Sequence, residues 1–353
     1  MATLYVTEPD TRIEKEYLRI IVTREGEVIQ SAPISSLTEI VIVGFASATT
    51  QALLTLLDAG IGITFLTRAG KMRGRLVPAV WSNLPLRLSQ YAQQNAASFQ
   101  IDLVRQLIHG KLCNYSVLAR RIMRRLSQRD SSGIPSKPSS PPEKLSPLVL
   151  KASLESLVKA IAGLKTANDL DTLRGLEGIG SKAYFSILRA GLSWKHEFGF
   201  LKRQRRPPKD PINALLSFGY ALLTNAMVSA LTVAGLDPEA GYLHANQRGR
   251  PSLALDLIEE FRPIIVDSMV LRLVNQQIIT LKSFEEGNEG EMLLTKKGLT
   301  AFFTQYHQRI NCSVMHPFFG KKLTYQKCFE AQAVLLKKVI LGEEQRYIPM
   351  TWR

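Results

Sequence analysis

The hydrophobic period of this 353-residue chain changes once, near Leu86, and that change limits what it can fold into. Before it, short β-branched runs recur: YLRIIV (17–22), EVIQ (27–30), EIVIVG (39–44), GITFL (62–66) and GRLVP (74–78). Runs of this length and composition suit strands. REGE (24–27) and RAGK (69–72) suit the tight turns between them. One helix interrupts the series, SATTQALLTLLDAG (47–60), opened by a Ser/Thr cluster and closed by Gly60. After Leu86 the pattern is helical: 86–126, with Gly110 and Asn114 as candidate breaks, then 148–165, 169–192, 211–234, 252–261, 264–282, 297–310 and 322–341. Pro211 and Pro263 sit where helices can start, and Gly191 and Gly235 where they can stop. The expected fold class is therefore α+β. A small, mostly antiparallel β-rich domain over 1–85 precedes a larger all-α domain over 86–353. Within the second, RDSSGIPSKPSSPPEKLSP (129–147) is too rich in Ser, Pro and Lys to bury a core, and a flexible insertion is expected there.

Charge narrows the function. Lys and Arg number 45 against 30 Asp and Glu, a net charge of +15. Such a chain attracts polyanions, and nucleic acid is the expected partner. No apolar run approaches the roughly 20 residues of a membrane span. The N-terminus turns polar at once, unlike a secretory signal, so a cytoplasmic protein with no membrane partner is expected. Cys113, Cys312 and Cys328 form no CxxC pair, which excludes a zinc ribbon or a disulfide framework as the sequence reads.

Three stretches carry candidate chemistry. In GYLHANQRGRPSLALDLIEEFRP (241–263), Asp256 and Glu259 lie three positions apart, on one helix face and about 5–6 Å from each other at Cβ. Glu260 is near that face, and the opposite side is apolar. His244 sits upstream on a Gly-containing loop that can fold back over this helix. Oxygen donors with one imidazole suit Mg²⁺ or Mn²⁺ better than a closed zinc site. The plain alternative is that Arg248, Arg250 and Arg262 simply neutralise the acids. In TLRGLEGIGSKAYFSIL (172–188), Glu177 stands between Gly175 and Gly178, small neighbours that leave room for close approach. A solvent-facing glutamate is the alternative there. Lys182 and Tyr184 follow. In RRPPKDPINALLSFGYALLTNAM (205–227), Asp210 caps a helix that opens at Pro211, and Asn213 either contacts the site or packs at the helix start. Two basic runs, LKRQRRPPKD (201–210) and LARRIMRRL (118–126), are candidate phosphate contacts or solubilising faces.

Taken together, GLEGIGSKAYF, DPINALLSFGYALL and HANQRGRPSLALDLIEEFRPIIVD resemble the CRISPR adaptation integrase family, the Cas-one proteins. The resemblance spans most of the chain. It implies a β-rich N-terminal dimerisation domain and a helical catalytic domain. It also implies a Mg²⁺ or Mn²⁺ site built from Glu177, His244 and Glu259. Asp256, Arg262, Lys182, Tyr184, Asn213, Arg248 and Arg250 become candidate supporting or DNA-contacting residues. Lys182 and Phe185 stand where the family usually carries Arg and Trp. The implied reaction joins 3′-hydroxyl ends of short duplex DNA into the CRISPR repeat array by transesterification, within a complex of this homodimer and a Cas-two partner. A stand-alone, structure-selective, metal-dependent nuclease would use the same site. A DNA-binding subunit without activity is the non-enzymatic alternative.

Overall fold

The computed structural model describes residues 2–78, 83–131, 146–192, 198–204, 208–287 and 290–352. Most of the expected 129–147 insertion, and Arg205 and Arg206 of the 201–210 basic run, lie outside the described residues.

The N-terminal part holds eight strands: β1 (Ala2–Val6), β2 (Thr11–Glu16), β3 (Arg19–Arg24), β4 (Glu27–Pro33), β5 (Leu37–Val43), β6 (Ala46–Ala48), β7 (Gly62–Leu66) and β8 (Met72–Leu76). They form two four-stranded sheets, ordered β1-β5-β7-β8 and β4-β3-β2-β6. The expectation of a mostly antiparallel region needs correcting. β5 runs parallel to both β1 and β7, and β2 is parallel to β6. Helix α1 (Thr50–Asp58) supplies the long return that a parallel pair requires. Strands β1, β2 and β6 escaped the sequence reading. β2, TRIEKE, buries only Thr11 and Ile13 and carries its charges outward, so no β-branched run marks it.

β5 is the hinge of the architecture, because both its faces are buried. Ile40 and Ile42 enter a core shared with Ile13, Ile20, Val22 and Ile63 between the sheets. Val41 and Val43 enter the helical core instead. Buried Glu39 on the same strand accepts from Thr64 Oγ1 at 2.8 Å and from Ser229 Oγ at 2.9 Å, which ties the strand to α6 (Pro211–Val233).

The helical part comprises α2 (Leu84–Gln94), α3 (Ala97–Ser131), α4 (Pro147–Gly163), α5 (Leu170–Gly191), α6, α7 (Ser252–Ile258), α8 (Ser268–Asn275), α9 (Lys296–Ile310) and α10 (Tyr325–Ile340). It is not all-α. Two short hairpins, β9/β10 (Phe284–Glu286 with Met292–Leu294) and β11/β12 (Ser313–Met315 with Lys322–Thr324), were not expected. Helix α6 is long and apolar enough to cross a membrane by length and composition alone. Here it lies in the core, packed against α7 and α10. Pro263 stands in the first turn of a helix, as expected, though not of an α-helix. It lies in a π-helical turn, Arg262–Asp267, that connects α7 to α8. Proline has no N–H for an α-helical ladder, and local widening of this kind accommodates it.

The expected breaks at Gly110 and Asn114 are also absent, since α3 runs through both. Tertiary contact uses them instead. Asn114 Nδ2 donates to the carbonyls of Glu260 (2.9 Å) and Met350 (2.8 Å), and its Oδ1 accepts from Trp352 N at 2.6 Å. A Cβ at Gly110 would stand 2.5 Å from Pro349 Cβ. The C-terminal segment 347–352 thus crosses α3 at a notch made by this glycine.

A paired experiment checks that notch. Gly110→Ala raises helix propensity by about 1 kcal/mol, yet overpacking against Pro349 should make the full-length variant less stable by roughly 1–3 kcal/mol. In a chain truncated after Leu341 the same substitution should become neutral or stabilising. Urea denaturation of the four proteins reads the sign directly.

Candidate active site

The site forms where α3, α5 and the α7 end meet beneath the loop that carries His244. Asp256 builds the loop. It is fully buried on α7. Its Oδ2 accepts from Tyr242 N (2.6 Å) and Leu243 N (2.9 Å), and its Oδ1 from His244 N at 3.0 Å. His244 Nδ1 is 2.6 Å from the same Oδ1. With a carboxylate as acceptor, Nδ1 carries a proton, and the ring is turned so that Nε2 faces Glu259. Gly241 makes this close approach feasible, since a Cβ there would stand 2.7 Å from Ser252 Cβ and 3.0 Å from Asp256 Oδ2. Gln94 and Gln100 hold the loop from the other side through the Gly241 and Tyr242 carbonyls.

Helix α5 brings Glu177. One turn earlier, Arg174 Nη2 donates to the Leu243 carbonyl at 3.0 Å, so the His244 loop and the Glu177 turn are fastened together. Cβ atoms added at Gly175 or Gly178 would meet nothing within 4 Å, so the helix is open on either side of Glu177. Its carboxylate accepts from Ser181 Oγ at 2.8 Å and pairs with Lys111 of α3.

Glu259 is the centre. It is 2% exposed, and three charged or ionisable side chains converge there. Arg262 Nη1 donates to Oε1 at 2.5 Å, and His244 Nε2 is 3.9 Å from the same oxygen. Lys111 Nζ lies 2.6 Å from Oε2. That contact is between charges, and Oε2 accepts no directed hydrogen bond. Burial alone would push this carboxyl up, but Arg262, Lys111 and His244 together hold it down at about 2. Glu177, Lys111, Glu259 and His244 thus form one contiguous set in which a lysine ammonium bridges two carboxylates. Among the described residues no three His, Cys, Asp or Glu side chains converge as a ready metal cage, because Lys111 stands between two of them. The donor set still fits a divalent cation: two carboxylates, an imidazole nitrogen turned toward them, and a buried carboxylate oxygen whose contact is the ion pair with Lys111.

A profile of the CRISPR associated protein Cas1 family matches residues 4–308. The chain belongs to the Cas1 family. It is 36% identical over its whole length to CRISPR-associated endonuclease Cas1 3 of Thermus thermophilus, covering 98% of that protein. Its fold matches a casposase bound to integration product with a TM-score of 0.80 at 19% identity, covering 100% of this chain and 95% of that one. It also matches a Cas6-RT-Cas1–Cas2 complex with a TM-score of 0.77 at 22% identity, covering 99% of this chain and 36% of that one.

The remaining residues singled out in the sequence have distinct placements. Arg262 is buried, paired with Glu259, and lies 4.8 Å over the Tyr220 ring. It serves as a buried counter-ion to Glu259 inside the Cas1 fold. Tyr184 is fully buried, stacked on Tyr115 at 3.6 Å, and donates to Asp267 Oδ2 at 2.7 Å. Asn213 is fully buried and clamps the 202–204 backbone: its Oδ1 accepts from Gln204 N at 2.9 Å and its Nδ2 donates to the Lys202 carbonyl at 2.9 Å. Lys182 and Arg248 are exposed and Arg250 is half-buried. None of these three pairs with the acids among the described residues. Lys111 went unnoticed in the sequence. Its signal was a lone lysine on an apolar stripe, flanked by buried Leu107, Ile108, Leu112 and Tyr115.

Asp267, which anchors Tyr184 and Tyr220 under the site, yields a pH test. Burial pushes its carboxyl up from 3.8 to about 6, against the hydroxyls of Tyr220 and Tyr184 and the charge of Arg262. The folded protein keeps a proton that the unfolded chain releases. Stability from this group is therefore full below about pH 4 and is lost as pH rises through about 6. Asp267→Asn should remove that dependence. Relative to the unsubstituted chain, its unfolding free energy should rise by up to roughly 3 kcal/mol between pH 4 and 7, read by urea melts across that range.

Proposed function

We propose that this protein is a metal-dependent DNA integrase and endonuclease of CRISPR adaptation. It would join 3′-hydroxyl ends of short duplex DNA to the repeat array by transesterification. The observation that carries the reading is the convergence of Glu177, His244 and Glu259 on one buried set of charges. Support comes from the relative named an endonuclease and from the fold shared with a casposase holding an integration product.

The residues have separable tasks. Asp256 fixes the His244 ring and turns Nε2 toward Glu259. Arg262 keeps Glu259 ionised despite its burial. Glu177, open on both sides, offers its carboxylate at the approach. Glu177, Glu259 and His244 would hold Mg²⁺ or Mn²⁺, which would lower the pKa of an attacking hydroxyl and stabilise charge on a leaving oxygen. Chemistry of this kind needs no protein nucleophile, so positioning and charge stabilisation carry it.

DNA would track the basic surface. Arg120, Arg124 and Arg125 are exposed on α3. Arg121 stacks 3.8 Å over the Trp352 ring, which joins the C-terminal segment to that face. A homodimer through the β-rich domain of 1–85 accords with exposed Tyr17, Leu18 and Phe45, at 88%, 81% and 74%. A Cas-two partner accords with the Cas1–Cas2 complex that shares the fold. A cytoplasmic setting accords with a nucleic-acid substrate.

The deciding assay mixes the protein, with and without its small partner, with a 3′-hydroxyl duplex and a plasmid carrying the repeat array. Metal-dependent joining is expected. Glu177→Ala, His244→Ala and Glu259→Ala should each lower it by about 100-fold or more, with the fold retained by circular dichroism. Joining near the unsubstituted level in all three would overturn the site. Cleavage without joining, partner present, would favour the stand-alone nuclease.

Affinity for duplex DNA should fall steeply with salt, as neutralised phosphates release counterions. Replacing Arg124 and Arg125 by alanine should reduce the slope of log affinity against log salt by about one for each phosphate no longer neutralised. An unchanged slope would remove α3 from the DNA footprint.

A further inference from the structure

The geometry points to a task for Lys111: we infer that its ammonium is a built-in counter-ion in the seat between Glu177 and Glu259, that a divalent cation takes this seat only by displacing it, and that DNA phosphate receives the displaced charge. The inference rests on the metal-dependent reading of the site.

Lys111 is 4% exposed and projects from an apolar stripe of α3. A buried ammonium is unfavourable unless paired. Among the described residues its ion pairs are the two carboxylates, Glu177 and Glu259. The Tyr115 ring adds a weaker contact at 5.5 Å. The carboxylates come from different elements, α5 and the α7 end, and need a cation between them to avoid repulsion. A lysine and a divalent ion cannot both occupy that point, since their repulsion at about 4 Å is large at any realistic dielectric.

The two oxygens of Glu259 are not equivalent. Oε1 is held by Arg262, itself buried and packed on Tyr220. Oε2 is held only by the lysine, whose flexible stem makes it the exchangeable partner. Once displaced, the ammonium finds no spare buried acid nearby among the described residues. Asp256 is taken by the His244 loop, Asp267 by two tyrosines, and Glu260 by Gln332, Tyr347 and the Met350 amide. A phosphate at the open approach beside Glu177 is the anion left to accept it. Metal and DNA should then bind with positive cooperativity, each strengthening the other.

The test is Mn²⁺ binding, followed by electron paramagnetic resonance of free Mn²⁺, with and without a short duplex blocked at its 3′ ends and corrected for Mn²⁺ held by duplex alone. The unsubstituted protein should bind Mn²⁺ weakly, and at least about tenfold more tightly with duplex. Lys111→Met should bind Mn²⁺ at least about tenfold more tightly without duplex and lose most of the duplex effect. Lys111→Arg should stay near the unsubstituted affinity. Equal or weaker Mn²⁺ binding by Lys111→Met, with binding still dependent on Glu177 and Glu259, overturns this inference and leaves the metal site standing. Absence of Mn²⁺ binding in every protein overturns the metal reading and this inference with it. If Lys111→Met does not fold, reductive methylation of the unsubstituted protein decides. Lys111 should be protected without metal and labelled at saturating Mn²⁺, and persistent protection overturns the displacement.

Discussion

An ionised carboxylate held out of water is the constraint on which this structure turns. Glu259 is almost fully buried, a position that by itself favours the neutral acid. It stays charged because cationic or ionisable groups arrive from three directions: Arg262 one turn along the chain, Lys111 from α3, and His244 from the loop above. Removing any of them leaves a buried charge short of compensation. The long α3 and the folded-back loop are therefore requirements of the chemistry as much as of the packing.

The next residue shows the opposite solution. Glu260 is equally buried, yet burial pushes its carboxyl up to about 8. Its neighbours are neutral donors: Gln332 Nε2 at 2.7 Å, Tyr347 OH at 2.9 Å and Met350 N at 2.9 Å. Two adjacent glutamates thus take different protonation states. One faces cations, the other faces amides and a hydroxyl and fastens the C-terminal segment. That segment also closes over Asn114, so the chain end, α3 and the turn carrying Glu259 and Glu260 are one packed unit.

The β-rich part connects to this unit through β5, whose two faces feed two different cores. A strand buried on both faces reads as a continuous apolar run, as EIVIVG does. Glu39 within that run accepts from Thr64 and Ser229, satisfying a polar group that the sequence alone would place awkwardly.

Local pattern was enough to settle most element types and the candidate acids. A change of hydrophobic period near Leu86 separates strands from helices, and three-residue spacing puts Asp256 and Glu259 on one face, because both signals are local. The parallel pairing of β5, the uninterrupted α3 and the two small hairpins were not legible in it. Those depend on what each segment meets, and Gly110 and Asn114 read as breaks only until Pro349 and Trp352 are seen against them. Within the site, spacing could not separate Asp256 from Glu259. Their surroundings in the folded chain do, because three backbone N–H groups and an imidazole saturate the first, while the second faces Lys111 and Arg262. Lys111 itself lies 66 residues from Glu177 in the chain. Only the crossing of α3 and α5 makes it part of the site, since Coulomb interaction depends on distance in space and not along the sequence.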